Sequence, residues 1–450
     1  MLKTAQLQQE TRLSLLQRLF DLQGHGTTVR TEIFAGVTTF LTMAYIVVVN
    51  PLILGAAGLP VAGVAVATCL SAGFASILMG LLSNYPLALA PGMGLNAYFT
   101  YTVVKGMGLP WQTALGCVFL SGIAFLLLTV AGVRRLIIRA LPKSLFAAVG
   151  GGIGLFIAFI GLRDAGIIVA AQGTVVGLGQ VTAPATALSI LGLLVIASLQ
   201  AKGVKAAMLV GILLTAAVAW MSGLSHFTPA AYSLADLSST AFKLDIPAAL
   251  SLKGGIGLSL VEIVFVFLFV DMFDNIGTLV AVTKRAGLVT QDGSVPRMNR
   301  ILLSDSISML VGALAGTSPV TSYIESASGV AVGGRTGLTS VVVGILFLCT
   351  LFFAPLVQAI PALATAPALI LVGALMMGAL TEVDWGDPGA AIPAFLTVIM
   401  IPLSYSIANG LAFGITSYAI LKIVRGQASR SDWLVYLLAA LCIARFIYLA

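Results

Sequence analysis

Charge is scarce in this sequence. Its 23 Lys and Arg and 16 Asp and Glu make up 9% of 450 residues, against 59% hydrophobic residues and a mean hydropathy of +1.08. A soluble protein of this length exposes more surface than so few charges can serve. Histidine is scarcer still, with only His25 and His226, neither of them in an apolar run. The four cysteines, Cys69, Cys117, Cys349 and Cys442, lie in apolar segments without CxxC or Cys/His spacing. They read as small hydrophobes, so neither a disulfide nor zinc is expected. Met1 to Arg30 is polar and mixes both signs of charge; with no apolar stretch there, no cleaved signal peptide is expected. No zinc motif, nucleophile triad or repeated filter sequence occurs, which argues against an enzyme and against a channel.

What the chain has in quantity is long uncharged apolar runs. Trp111 to Val133 contains no charged side chain at all. A membrane-crossing helix needs roughly 20 such residues to cover about 30 Å of hydrocarbon. Read between polar punctuation, the runs are 31–50, 62–82, 86–105, 111–133, 145–162, 183–200, 206–223, 256–282, 301–316, 318–333, 337–360, 365–381, 389–407 and 408–424, numbered here as spans 1 to 14. The stretch 433–450 reads either as one more span or as a helix lying at the interface. A net charge of +7 would suggest nucleic acid in a soluble protein. Here the basic residues cluster between runs, so they report topology and no nucleic-acid partner is expected. With the N-terminus inside, the inner loops hold Arg134, Arg135, Arg139 and Lys143, then Lys202 and Lys205, then Lys284, Arg285, Arg297 and Arg300, then Lys422, Arg425 and Arg430. The long outer loop 224–255 has only Lys243 and Lys253. This is the positive-inside pattern.

That loop divides the chain. The expected organisation is a cytoplasmic N-terminal segment 1–30, a first seven-span repeat 31–223, the connecting loop 224–255, a second seven-span repeat 256–424 and a membrane-associated C-terminal segment 425–450. Seven is odd, so the second repeat must be inverted relative to the first. The third span of each repeat is interrupted in the same way, by Ala-Pro-Gly-Met-Gly-Leu-Asn-Ala-Tyr-Phe at 90–99 and by Gly-Thr-Ser-Pro-Val-Thr-Ser-Tyr-Ile-Glu-Ser-Ala-Ser-Gly at 316–329. Irregular backbone at membrane depth cannot face lipid, where its N–H and C=O groups would go unpaired. Matching interrupted segments in two halves point to a transport site between inverted repeats.

Three carboxylates lie deep in apolar segments: Asp271, Asp274 and Glu325. Each costs roughly 2.5–3.5 kcal/mol at the centre of a span, and spans 8 and 10 contain no Lys or Arg to pair with them. They must be protonated, hydrogen-bonded or turned towards a watery cavity. Asp271 and Asp274 stand three apart on one helical face, which Gly277 and Thr278 continue. Two carboxylates that close resist carrying two charges at once, which suits proton coupling. Glu325, beside Ser322, Tyr323 and Ser326, is a second such group. Asp274 reads either as a substrate ligand or as a hydrogen-bond hub, and Asp271 as a coupling group or as a packing residue. Phe273, Tyr98 and Phe99 either stack on a flat ligand or pack. Asn96 either bonds substrate or caps a half-helix. Glu32 and Glu262, nearer span ends where water is within reach, read as structural or interfacial. An anion would be repelled by such a set, whereas a flat heterocycle with N–H donors suits carboxylates, an amide and aromatic faces.

The segments 31–46 (Thr-Glu-Ile-Phe-Ala-Gly-Val-Thr-Thr-Phe-Leu-Thr-Met-Ala-Tyr-Ile), 90–99, 269–279 (Phe-Val-Asp-Met-Phe-Asp-Asn-Ile-Gly-Thr-Leu) and 321–337 together resemble the AzgA-like purine permeases of the nucleobase/cation symporter-2 group, from about Gly24 to the C-terminus. The resemblance implies a polytopic all-α fold like that of bacterial uracil permease, with about fourteen spans as two inverted sevens. A core of spans 1–4 and 8–11 would move, elevator-fashion, against a gate of spans 5–7 and 12–14. It implies import of adenine, hypoxanthine or guanine by proton symport across the plasma membrane. By motif, Asp274 and Glu325 match the two acidic residues that bind the base in the uracil permease. Residues matching Asn96, Asp271, Asp274 and Glu325 matter for transport in AzgA-like relatives. Phe273, Tyr323, Thr278 and Tyr98 complete the expected substrate set, with Glu325, Asp271 and Asp274 as the coupling set. Thr278 stands where the uracil permease has a histidine, so carboxylates alone would carry protons. The Pro-Gly-Met-Gly-Leu-Asn form of span 3 looks more like the adenine or broad-range branch. Expected partners are a purine base, protons and the lipid bilayer, with a homodimer as an allowed assembly and no cofactor or metal. An anion transporter of the same fold, of the sulfate-transporter kind, is the alternative.

Overall fold

The structure, a computed structural model, describes residues 15–132, 142–228, 234–251, 256–290, 295–357, 359–429 and 432–449. Among these, eight helices are long and apolar enough to cross a membrane, and four shorter apolar helices accompany them. All but the last of these, Trp433–Ile447, together with the helix Met298–Ala315 and the two interrupted segments, account for the fourteen spans. Span 1 is two helices, Val29–Met43 and Ile46–Gly55, broken at Ala44–Tyr45. Span 2 is Val61–Ser83 and span 4 is Trp111–Val130. Spans 5, 6 and 7 are Lys143–Asp164, Pro184–Ala201 and Ala207–Met221. Spans 8 and 9 are Ile256–Arg285 and Met298–Ala315. Span 11 is Gly337–Cys349 with a 3-10 turn to Phe353, and span 12 is Ala362–Met376 with a 3-10 turn to Glu382. Spans 13 and 14 are Pro388–Leu403 and Ile407–Val424.

Neither interrupted span is a plain helix. Span 3 begins as strand β1 (Leu89–Pro91), turns at Gly92 into the half-helix Met93–Ala97 and runs on as a π-helix, Tyr98–Gly106. Pro86 and Pro91, without N–H groups, cannot extend a helical ladder backwards, and they leave the chain extended. After the Asp164 end of span 5, β2 (Ile168–Ala171) and β3 (Val175–Leu178) form a hairpin. Span 10 begins as β4 (Val320–Ser322) and continues as the half-helix Ser326–Ala331. β1 and β4 pair antiparallel in the register Leu89↔Ser322, Ala90↔Thr321 and Pro91↔Val320. An antiparallel pair made by equivalent strands of two repeats is what inversion of one repeat produces.

The helices pack as two bodies. In one, span 2 lies along span 11 and span 9, span 4 along spans 8 and 9, and span 1 along span 11 and the half-helix of span 10. In the other, span 5 lies along spans 12 and 13, span 13 along span 14, and span 6 along spans 7 and 12. These are the expected core and gate. The crossing of spans 2 and 11 depends on small residues. A Cβ at Gly344 would stand 2.6 Å from the Gly73 carbonyl, and one at Gly337 would collide with the Gly80 backbone. Such close approach lets helices associate by packing where lipid gives no hydrophobic drive. Gly344→Val is therefore expected to cost about 1–3 kcal/mol of overpacking, read as a lower unfolding temperature in detergent. Gly378→Ala, at a position where a new Cβ meets nothing within 4 Å, should leave that temperature unchanged.

Four features depart from or sharpen the sequence expectations. The loop 224–255 holds a 3-10 turn, Leu234–Ser239, and a short helix, Ile246–Ala249. It lies over the core, with the Thr240 hydroxyl donating to Ala315 O at 3.0 Å and the Asp245 N–H to Gln112 O at 2.9 Å. Glu32 does not reach water: it is 0% exposed. Its carboxylate accepts from the N–H groups of Arg335 (2.9 Å), Thr336 (3.3 Å) and Thr339 (3.3 Å) and from the Thr339 hydroxyl (2.6 Å). Those are the orphan donors at the start of span 11, so Glu32 caps a helix from another span. The stretch 433–450 forms the helix Trp433–Leu449, packed against span 14 with Val435 fully buried. Glu262 is likewise not left to water. Arg445 of that last helix pairs with it at 2.7 Å, the two side chains being 17% and 11% exposed.

Candidate functional site

The two strands meet in the middle of the core, and their backbone is satisfied within the protein. Gly92 N donates to Pro319 O at 2.8 Å and Tyr323 N to Ala88 O at 3.0 Å, extending the two-stranded ladder at both ends. Ser76 of span 2 both accepts from Leu89 N and donates to Leu89 O, each at 3.0 Å. Ser326 accepts from Ala88 N at 3.0 Å, and Ser340 Oγ lies 2.8 Å from both Tyr85 O and Leu87 O, which share its one proton. Serines of spans 2, 10 and 11 thus close the hydrogen bonds that the missing helix would have made.

Glu325 sits where β4 gives way to its half-helix. The Tyr45 hydroxyl, at the break in span 1, donates to Glu325 Oε1 at 3.0 Å. Tyr323, two residues before, donates its hydroxyl to Pro91 O and so locks β4 to β1. Asp274 of span 8 lies within electrostatic range of Glu325 and of Tyr323, and Tyr45 within range of both Glu325 and Tyr323. Asp274 and Glu325 are both half-buried, whereas Asp271 is 0% exposed. Below Asp274 the same face of span 8 carries Gly277, Ala281 and Lys284, all exposed, and nothing stands within 4 Å of where a Gly277 Cβ would be. An exposed helix face therefore runs from Asp274 towards the Arg285 end of the helix. At the opposite end, core and gate touch. The Thr102 hydroxyl donates to Tyr405 O at 2.5 Å, the Tyr101 hydroxyl reaches Asp164 at 3.5 Å, and the Arg163 guanidinium stands 4.8 Å over the Tyr101 ring.

The sequence-derived set is thus only partly assembled in one place. Asp274, Glu325 and Tyr323 come together, and Thr278, 7% exposed, lies one turn below Asp274. Asn96, fully buried, donates to Asn50 Oδ1 at 2.9 Å. Tyr98 and Phe99 pack instead on Phe267 of span 8, with ring centroids 5.2 and 6.5 Å away. The Tyr98 hydroxyl lies in range of Glu262 and Arg445, not of the two carboxyls. The Phe273 side chain lies outside the described residues. Sequence reading missed Tyr45 and Asn50. The available signal was a phenol and an amide flanking the apolar run Ile46–Val49 of the first span, at positions 45 and 50. Among the described residues no group of three or more His, Cys, Asp or Glu could hold a metal ion.

Two broken spans that meet beside a pair of half-buried carboxyls suit a carrier, and the sequence comparison agrees. The profile of the Permease family matches residues 30–413. The chain belongs to that family. It is 46% identical to the adenine permease AdeP of Escherichia coli over 97% of this chain and 96% of that protein. It is 43% identical to the guanine/hypoxanthine permease PbuG of Bacillus subtilis over 96% of this chain and 100% of that protein. The transmembrane domain of the cyanobacterial bicarbonate transporter BicA shares the fold, with a TM-score of 0.62 at 17% identity over 86% of this permease and 97% of that domain. This permease is therefore a multi-pass membrane protein with inverted repeats; at that identity, BicA speaks for the fold alone.

Proposed function

We propose that this permease imports purine nucleobases by proton symport across the plasma membrane, with its N-terminus in the cytoplasm, and that it is not an enzyme. The observation that carries the reading is the meeting of Asp274 and Glu325 at the crossing of the two broken spans, with Tyr45 donating to one of them. Carboxyl oxygens accept hydrogen bonds, and the N–H edge of a purine supplies donors. The names of the relatives AdeP and PbuG support adenine, guanine or hypoxanthine as the base. A proton taken up on the carboxyl pair offsets the cost of holding charge in the membrane, so base and proton travel together. Asp271, buried on the same helix one turn from Asp274, is the reserve coupling group.

Alternating access would come from the core moving against the gate as an elevator. The contacts of Tyr101 and Thr102 with the gate close the outer side, and the exposed face from Asp274 to Lys284 opens the inner side, which supports reading this conformation as inward-open. The anion-transporter alternative fits the fold but not the site chemistry, since carboxylates repel anions, span 10 holds no Lys or Arg, and the basic residues of span 8, Lys284 and Arg285, lie in its last turn, away from Asp274. In proteoliposomes with an inward proton gradient, labelled adenine should accumulate, and a protonophore should abolish the accumulation. Uptake that survived the protonophore and followed sodium would overturn the coupling. Competition by sulfate instead of by purines would overturn the substrate class.

A further inference from the structure

Beside the carboxyl pair runs a chain of buried amides whose polarity is set by a single proton. Thr68 Oγ1 lies 2.7 Å from Val64 O, one turn back in span 2, and 2.8 Å from Asn50 Nδ2. A carbonyl only accepts, so the one Thr68 proton goes to Val64, and Thr68 can only accept from Asn50. That fixes the amide of Asn50 end for end. Its second N–H reaches Thr317 Oγ1 at 2.9 Å, and its Oδ1 accepts from Ser318 Oγ at 3.3 Å and from Asn96 Nδ2 at 2.9 Å. The hydroxyls of Thr317 and Ser318 can serve either way round, so Thr68 is the member that decides. Facing an acceptor, Asn96 must present its nitrogen, and its other N–H points at the Met93 sulfur, 3.6 Å away. What remains is Asn96 Oδ1, buried and without a protein partner.

We propose that Thr68 and Asn50 are positioning residues that orient Asn96 so that it offers the substrate a hydrogen-bond acceptor and withholds a donor. A buried carbonyl oxygen with no partner is unfavourable on its own, and an N–H of a bound base removes the deficit. Asn96 stands in the half-helix Met93–Ala97 that follows β1, whose Pro91 carbonyl is held by Tyr323, and Thr317 and Ser318 lie just before β4, so the amide chain adjoins the same crossing of β1 and β4. Asn50 also ties span 1 to spans 2 and 3 and to Thr317 and Ser318 of the opposite repeat, so the orientation of Asn96 is held from both repeats. The inference rests on the purine reading above and adds to it the basis for choosing between an amino and an oxo purine.

The test is competition of unlabelled adenine, which carries an amino donor, and hypoxanthine, which carries an oxo acceptor in its place, against exchange of labelled adenine in proteoliposomes. Thr68→Val keeps the shape and removes the hydroxyl, so Asn50 can turn over and Asn96 can follow it. The ratio of half-inhibiting hypoxanthine to adenine should shift by roughly five-fold or more in Thr68→Val, the scale of one mismatched buried hydrogen bond, and stay at the wild-type value in Thr68→Ser. Thr68→Ala removes the same hydroxyl with less bulk and answers the same question if the valine variant does not accumulate in the membrane. An unchanged ratio in the hydroxyl-free variants, with only the amount or the turnover of the protein altered, would overturn the inference while leaving purine transport standing. Failure of both bases to compete in the wild type would overturn the purine reading, and the inference with it.

Discussion

Glu325→Gln is expected to exchange base for base across the membrane but not to accumulate base against a gradient. The residue ends the extended part of span 10, where it is half-buried and bonded by Tyr45. Gln keeps the size of Glu and still offers a carbonyl oxygen to the Tyr45 hydroxyl, so the fold around the break in span 1 should persist. What Gln cannot do is take up and release a proton. A carrier that resets by giving up a proton at Glu325 then loses the driven half of its cycle and keeps the substrate-loaded half. Both should be measured in the same proteoliposomes, exchange with labelled base on one side and pH-driven uptake with the gradient imposed. Normal pH-driven accumulation by the variant would remove Glu325 as the coupling site and pass the role to Asp274 or Asp271.

Asp274→Asn should weaken binding far more than folding. The side chain is half-buried on span 8, within electrostatic range of Glu325 and Tyr323. An amide of equal size loses the charge and one acceptor. Charge-assisted hydrogen bonds are worth roughly 1.5–3 kcal/mol, so affinity for the base should fall roughly ten- to a hundred-fold. The amount of protein in the membrane and its unfolding temperature should stay near wild type. Equilibrium binding to the detergent-purified variant is the direct measurement. Unchanged affinity would make Asp274 a structural hydrogen-bond group.

The sequence by itself determined that this is a membrane protein with two interrupted repeats and charged groups in its interior. Those properties are local. Hydrocarbon demands apolar runs of sufficient length, Pro86, Pro91 and Gly92 cluster with small polar residues in one span, and a carboxylate in an uncharged run is conspicuous because it is costly. Only the tertiary structure decided what each polar group meets. Tyr45 and Glu325 lie 280 residues apart, Asn50 and Thr317 lie 267 apart, and Glu32 lies 303 from the backbone it caps. No periodicity connects partners at such separations. Glu32 looked like an end-of-span residue because a sequence displays position along a helix and not the neighbouring helix, which supplies four donors from the start of span 11. Tyr98 stands in the same interrupted segment as Asn96, yet two residues of helical rotation turn its ring to Phe267 and its hydroxyl to Glu262 and Arg445. The direction in which each side chain leaves a half-helix follows from how β1 and β4 pair, and that pairing exists only once the inverted repeats have closed on each other.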